Sequence, residues 1–312
     1  MSDRPKGMRK LKGRRPTMTQ FDGELSPPFE IVEPAHWRAP IIFNSPHSGS
    51  VYPHDFLDAS RIDLAALRRS EDSFMDELIA GLSLRGFPTV RVNFPRSYVD
   101  VNREPYELDP RMFIGRLPSF ANTRSMRVAG GLGTIPRVVG DGQEIYRERI
   151  GVEDALARIE TLYKPYHRAL RQLINRAHQA FGAVVVVDCH SMPSVGVSRE
   201  DKRRPDVVLG DRYGTSCAGT LADVVDETFT ALGYSVGRNK PYAGGFITEH
   251  YGSPANGTHT IQIELNRAIY MDERRRERGP QFRKVAADFS ALAEALTALR
   301  FDASGPFQAA AE

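Results

Sequence analysis

The sequence predicts an α/β fold built around a mostly parallel sheet. Two patterns predict it: apolar runs of strand length alternate with longer stretches of helical period, and Val184 to Val187 is an unbroken β-branched run, as expected of a strand buried on both faces. Size and composition agree. The 312 residues, 41% hydrophobic and 26% charged, suit a globular protein of one large or two small domains with ample core.

Taken in order, the first strand is expected at 40–45 (PIIFNS). A helix is expected at about 60–85, stopped by Gly86, and a second strand at 88–94 (PTVRVNF). Residues 104–150, rich in Gly, Pro and Arg, read as a long excursion within the fold, the kind of loop that often carries function. Between 151 and 181, Leu156, Ile159, Leu162, Tyr166, Leu170, Leu173, Ala177 and Ala180 recur at threes and fours, so a helix is expected there, kinked by Pro165. Strands follow at 183–188 and 206–210, a helix at 215–232 ending before Gly233, strands at 234–237 and 259–264, and a last helix at 281–300 behind Pro280.

Charge is uneven along the chain. Residues 1–20 hold seven basic residues against Asp3, a net of +6, and the remainder holds 35 basic and 38 acidic residues, a net of −3. The tail therefore reads as disordered, and the body as no nucleic-acid-binding surface. Residues 21–303 are expected to form a single domain and 304–312 a flexible C-terminal tail. With no apolar run of about eighteen residues and no apolar leader, neither membrane insertion nor export is expected, which places the protein in the cytoplasm. Cys189 and Cys217 supply neither a disulfide framework nor zinc-site spacing.

In open α/β sheets, ligands bind beyond the carboxyl ends of strands. Four polar blocks follow predicted strands: Asn44-Ser45-Pro46-His47-Ser48-Gly49, Asp100-Val101-Asn102-Arg103, Asp188-Cys189-His190-Ser191 and Glu264-Leu265-Asn266-Arg267. His47 and His190, each in a His-Ser pair at a strand terminus, are candidate ligands for a divalent metal, zinc being the natural choice. Either histidine alone reads as well as a loop-capping residue. Glu71 or Asp72 offers a third ligand; Asp72 shares a helical face with Asp76 and Ile79. Ile261 and Ile263 face one side of their strand and Gln262 and Glu264 the other, so Glu264 is a candidate base for a metal-activated water, or else a surface partner of Arg267. Asn102 and Arg103, with Arg96 or Arg137, suit a carboxylate, which implies a small acidic substrate.

Six blocks in this order carry a resemblance: Ser45-Pro46-His47-Ser48-Gly49, Asp100-Val101-Asn102-Arg103, Asp188-Cys189-His190-Ser191-Met192-Pro193, Gly244-Gly245-Phe246-Ile247-Thr248, His250-Tyr251-Gly252 and Gln262-Ile263-Glu264-Leu265-Asn266-Arg267. Over roughly residues 40–275 the chain resembles the N-formylglutamate amidohydrolases. The resemblance implies a three-layer αβα fold with a central mixed, mostly parallel sheet, like that of the zinc carboxypeptidases and aspartoacylase (phosphorylase/hydrolase-like). It implies hydrolysis of N-formyl-L-glutamate to formate and L-glutamate in histidine breakdown.

Carried over, it makes His47 and His190 zinc ligands, Asn102 and Arg103 the carboxylate-binding pair and Glu264 the general base. In the carboxypeptidases the acidic ligand stands three residues after the first histidine; Ser50 occupies that place here, so Asp72 is favoured, with Glu71 as the alternative. Arg137 is expected to hold the second substrate carboxylate and Arg96 to stabilise the oxyanion. Two other activities remain open on the same scaffold, removal of another acyl group and cleavage of a C-terminal residue. A non-catalytic module binding a dicarboxylate or metal is the reading from another class.

Overall fold

The computed structural model describes residues 23–140, 142–195 and 204–299. Both tails named above lie outside these ranges. Seven strands form one sheet: β1 Phe29–Val32, β2 Ile41–Ser45, β3 Thr89–Val92, β4 Val184–Met192, β5 Val207–Gly210, β6 Val236–Arg238 and β7 Thr258–Asn266. Their spatial order is β1-β3-β2-β4-β7-β5-β6. The four central strands are parallel. β1 pairs antiparallel at one edge and β5 antiparallel to β7 at the other, so the sheet is mixed, as expected.

Period-two alternation on the central strands divides the core between the two faces. Ile42, Val90, Val184 and Val186 pack beneath Tyr166, Leu170, Leu173 and Ala177 of the Lys164–Phe181 helix. Phe43, Val185, Val187, Ile261 and Ile263 face the opposite layer, built from the helices Met75–Ala80, Gly219–Ala231 and Phe282–Thr297. This gives the three layers. Cys189 belongs to that second apolar cluster, and Cys217 is buried in it too; both thiols are free.

Two expected helices differ in detail. Between 60 and 85 the chain forms Leu64–Leu67, the tight turn Arg68–Ser70, Met75–Ala80 and a second tight turn Ser83–Arg85. The break falls at Glu71–Phe74, because the Asp72 N–H donates to the His47 carbonyl (3.0 Å) and Phe74 takes a left-handed φ of 66°. Asp72 therefore precedes the helix and shares no helical face with Asp76, whose carboxylate instead pairs with Arg91. The 151–181 helix stays continuous. Its chain widens into a π turn at Ile159–Tyr163, which accommodates the missing N–H of Pro165 at the start of the next segment.

Residues 104–149 form the expected excursion, with little regular structure beyond short pieces such as Pro110–Met112 and Met126–Ala129. Among the described residues no helix is long and apolar enough to cross a membrane.

Candidate metal centre and active site

The two strand-end histidines meet. β2 and β4 are parallel neighbours, and their carboxyl ends lie side by side, so His47 just past β2 comes against His190 within β4, with ring centroids 4.7 Å apart. Asp72 completes the group, because its pinned backbone turns its carboxylate onto both rings. Asp72 Oδ2 lies 3.1 Å from Nδ1 of His190 and 3.6 Å from Nδ1 of His47. All three residues are buried, and one ligand atom from each lies within 4.8 Å of the others.

Two features suit this group to a divalent cation. Two imidazole nitrogens and a carboxylate oxygen are a zinc-type donor set with room for a further ligand, and Nδ1 of His47 is buried without a hydrogen-bond partner, an arrangement that buried polar atoms otherwise avoid. Glu71 is turned away. Its carboxylate accepts from Tyr52, Arg68 and Ser73 (2.8–2.9 Å), so the acid that reaches the histidines is Asp72.

Behind each histidine stands a second carboxylate. His47 Nε2 donates to Asp100 Oδ1 (2.7 Å) and His190 Nε2 to Asp188 Oδ2 (2.9 Å). A carboxylate only accepts, so both rings carry hydrogen on Nε2 and turn Nδ1 to the cluster. Asp188 is held in turn by Asn44 (2.8 Å), whose amide oxygen accepts from Tyr166. Burial alone would raise the Asp100 carboxyl, but Arg96, His47 and Arg103 hold it well below the usual range. Burial likewise works against a charged His190 and an ionised Asp72. Asp188 and Asp72 nevertheless push His190 well above its ordinary value, and the two histidines hold Asp72 well below its own.

These second carboxylates were within reach of sequence reasoning. In Asp188-Cys189-His190 the acid and the histidine are two apart on a strand and must share a face. Asp100 opened a block that was singled out for its later residues.

Glu264 lies one strand over, with His190 as its register partner across β4 and β7. It is buried rather than at the surface. Arg267 goes to Asp72 Oδ1 (3.0 Å) and Ser191 Oγ (3.0 Å) instead, and Gln262 Nε2 donates to Glu264 Oε1 (2.9 Å). Burial, reinforced by Asp72 and opposed by His190, Arg96 and Arg267, pushes the Glu264 carboxyl up to about 7. A carboxyl poised there can both take and return a proton near neutral pH.

The other expected residues divide into two groups. Arg96 is next to the cluster, its Nη2 donating to Asp100 Oδ2 (2.8 Å). The side chain of Asn102 stands 3.1 Å from Nε2 of His190 and accepts the N–H of Ile247 (2.8 Å), tying the Phe246–Tyr251 helix to the site. Arg103 donates to the carbonyls of Leu132 and Asn102. Burial lowers its guanidinium, with Asp100 and Glu107 acting against that and Arg96 and Arg127 adding like-charge repulsion.

Arg137 is not brought to the cluster. Its Nε and Nη1 close on Asp109 and Glu144 (2.9 Å each), and it lines a separate hollow of about 250 Å³ with Arg61, Arg111 and Tyr146. The excursion that carries Arg137 also supplies the acids that neutralise it, which its composition did not reveal. Glu249 pairs at the surface with Arg212.

Comparison with known proteins identifies the family. A family model described as N-formylglutamate amidohydrolase matches residues 39–271. An N-formylglutamate deformylase of Pseudomonas aeruginosa is 30% identical over 247 residues, covering 78% of this chain and 86% of its own, and that of Pseudomonas putida is 30% identical over 242 residues, covering 76% and 83%. The crystal structure of an N-formylglutamate amidohydrolase from Ralstonia eutropha JMP134 superposes with a TM-score of 0.80 at 34% identity, covering 86% of this chain and 97% of that one. On the match over residues 39–271 and these relatives, the chain belongs to the N-formylglutamate amidohydrolase family.

Proposed function

We propose that the protein is a zinc-dependent hydrolase that cleaves N-formyl-L-glutamate to formate and L-glutamate, and that it acts in the cytoplasm in histidine breakdown. Residues 21–303 are assigned to one catalytic domain. The observation that carries this reading is the placement of a buried carboxyl poised near neutrality, Glu264, on the strand rung of His190. A dicarboxylate- or metal-binding module has no need of such a group.

His47, Asp72 and His190 would hold the ion, with their ring tautomers set by Asp100 and Asp188. When bound, zinc supplies the Lewis acidity that polarises a carbonyl and brings the pKa of water toward about 7. Glu264 accepts the proton of the water that attacks the formyl carbon and hands it to the departing amine as the C–N bond breaks. Its buried setting suits it to both steps.

Arg96 offers a guanidinium beside the cluster for the negative charge developing on the formyl oxygen. Arg103 and Asn102 take the α-carboxylate of the glutamate part, a role that suits a guanidinium fork beside a side-chain amide. Arg137 is bound to Asp109 and Glu144, so in this reading it does not hold the second substrate carboxylate.

The test is release of the free amino acid from a panel of N-acyl amino acids and of peptides cleaved at their C-terminal residue, with and without chelator, by wild type and Glu264→Gln. Wild type should prefer N-formylglutamate and lose activity with chelator. Glu264→Gln should keep one metal per chain by elemental analysis yet lose roughly 10²–10⁴-fold in turnover. A variant that keeps its turnover refutes the assignment of Glu264, and a wild type inert toward the whole panel refutes the hydrolase.

A further inference from the structure

Beginning at Met271, the last residue matched to the family, a short hairpin pairs Met271–Asp272 with Glu277–Arg278 and carries Arg274 and Arg276 to the wall of a cavity of about 490 Å³. Arg68, Glu71 and Arg267 form the inner side, and Met271, Pro193 and Val195 supply apolar surface. None of His47, Asp72, His190 and Glu264 lines this space. It adjoins the metal cluster through Arg267, which lines the cavity and donates to Asp72, and through Glu71 and Ser73 on either side of Asp72.

The arginines differ in how far their charge is met. Arg267 is engaged with Asp72 and Ser191, and Arg68 with Glu71. Arg274 and Arg276 form no ion pair among the described residues; Arg276 Nη2 donates to the Ala65 carbonyl (3.3 Å). Burial lowers the Arg276 guanidinium, and Arg68 and Arg267 add repulsion that Glu71 opposes. The acid Glu273 also lines the cavity and accepts the Ser194 N–H (3.1 Å). The hairpin thus places two arginines on the wall of a concave, partly apolar space, one they share with the neighbouring hollow lined by Ala65 and Gln143, and arginine beside apolar surface is the combination that small-molecule sites use to recognise an organic acid. A volume of this size falls in the range of about 300–1,000 Å³ typical of such sites.

We propose that this cavity is a second small-molecule site, distinct from the metal cluster, that takes an organic carboxylate: Arg274 and Arg276 fork the acid group, and Met271, Pro193 and Val195 cover the hydrocarbon part. A compact inorganic anion would leave the apolar side of the cavity unfilled. The proposal goes beyond hydrolysis and does not depend on it.

Isothermal titration of the full-length, zinc-loaded protein with 3-phenylpropionate, and separately with inorganic phosphate, tests this. The organic acid should bind at one site per chain, at least tenfold more tightly than phosphate. In Arg274→Ala/Arg276→Ala its affinity should fall at least tenfold, while kcat/KM on N-formylglutamate stays within twofold of wild type and the melting curve is unchanged. Met271→Ala should weaken the organic acid and leave phosphate unaffected. Absence of binding, undiminished binding in the double arginine variant, displacement by L-glutamate in that variant, or equal affinity for phosphate would each overturn the proposal. Because the readout is heat of binding, a failure here is distinguishable from a failure of the hydrolase reading.

Discussion

Asp100→Asn should weaken metal binding without unfolding the protein. The side chain keeps its shape, and an amide oxygen can still accept from Nε2 of His47, but the full negative charge now 2.7 Å from that nitrogen is lost. Removing a carboxylate that orients and polarises a ligating histidine typically costs 10–100-fold in metal affinity, or about 1.4–2.8 kcal/mol. The upper end is expected here. Asp100 is also the counter-charge for Arg96, at 2.8 Å, and for Arg103, at 3.8 Å, so the substitution leaves two guanidiniums under-neutralised beside the incoming cation. Protein stripped with a chelator would be titrated with zinc against a chromophoric competitor, with circular dichroism to confirm the fold. A dissociation constant within twofold of wild type would refute both the assigned tautomer of His47 and the role of Asp100 behind it.

Metal binding should tighten with pH. His190 is held well above its ordinary pKa in the metal-free protein, so a cation must displace its proton, and affinity should fall about tenfold for each unit that pH drops below that raised value; the same competition titration, run as a pH series, would expose a flat profile. Arg137→Ala should change KM for N-formylglutamate less than twofold while lowering Tm, because its guanidinium serves Asp109 and Glu144; a rise in KM of tenfold or more would return it to the substrate. Gly49→Ala should destabilise by roughly 1–3 kcal/mol and weaken metal binding, because a Cβ there would stand 2.1 Å from the Phe94 carbonyl oxygen and displace the His47 loop; urea denaturation with unchanged midpoint would contradict that.

The parts legible in the sequence are those governed by local pattern. The β-branched run at 184–187 and the alternation at 261–264 marked two of the central strands, with His190 just after the first and Glu264 at the end of the second. Between Glu71 and Asp72, composition alone could not choose. The choice is made by a hydrogen bond from the Asp72 backbone to His47, 25 residues earlier, which breaks the helix that the periodicity had implied. Arg137 shows the converse. In a loop rich in arginine its residue type suggested a ligand, but whether a guanidinium is open or closed depends on acids brought to it by folding. The edge strand Phe29–Val32 likewise owes its structure to β3, against which it pairs antiparallel, more than to its own four residues.

β4 and β7 run hydrogen-bonded through all nine rungs from Val184 opposite Thr258 to Met192 opposite Asn266. Such ladders open only with the global unfolding of a domain, so the separation between His190 and Glu264 is as rigid as the molecule allows. Arg96, Asn102 and Arg103 come from loop backbone. Loop drift would therefore move Arg96, Asn102 and Arg103 relative to one another long before it changed the spacing of His190 and Glu264.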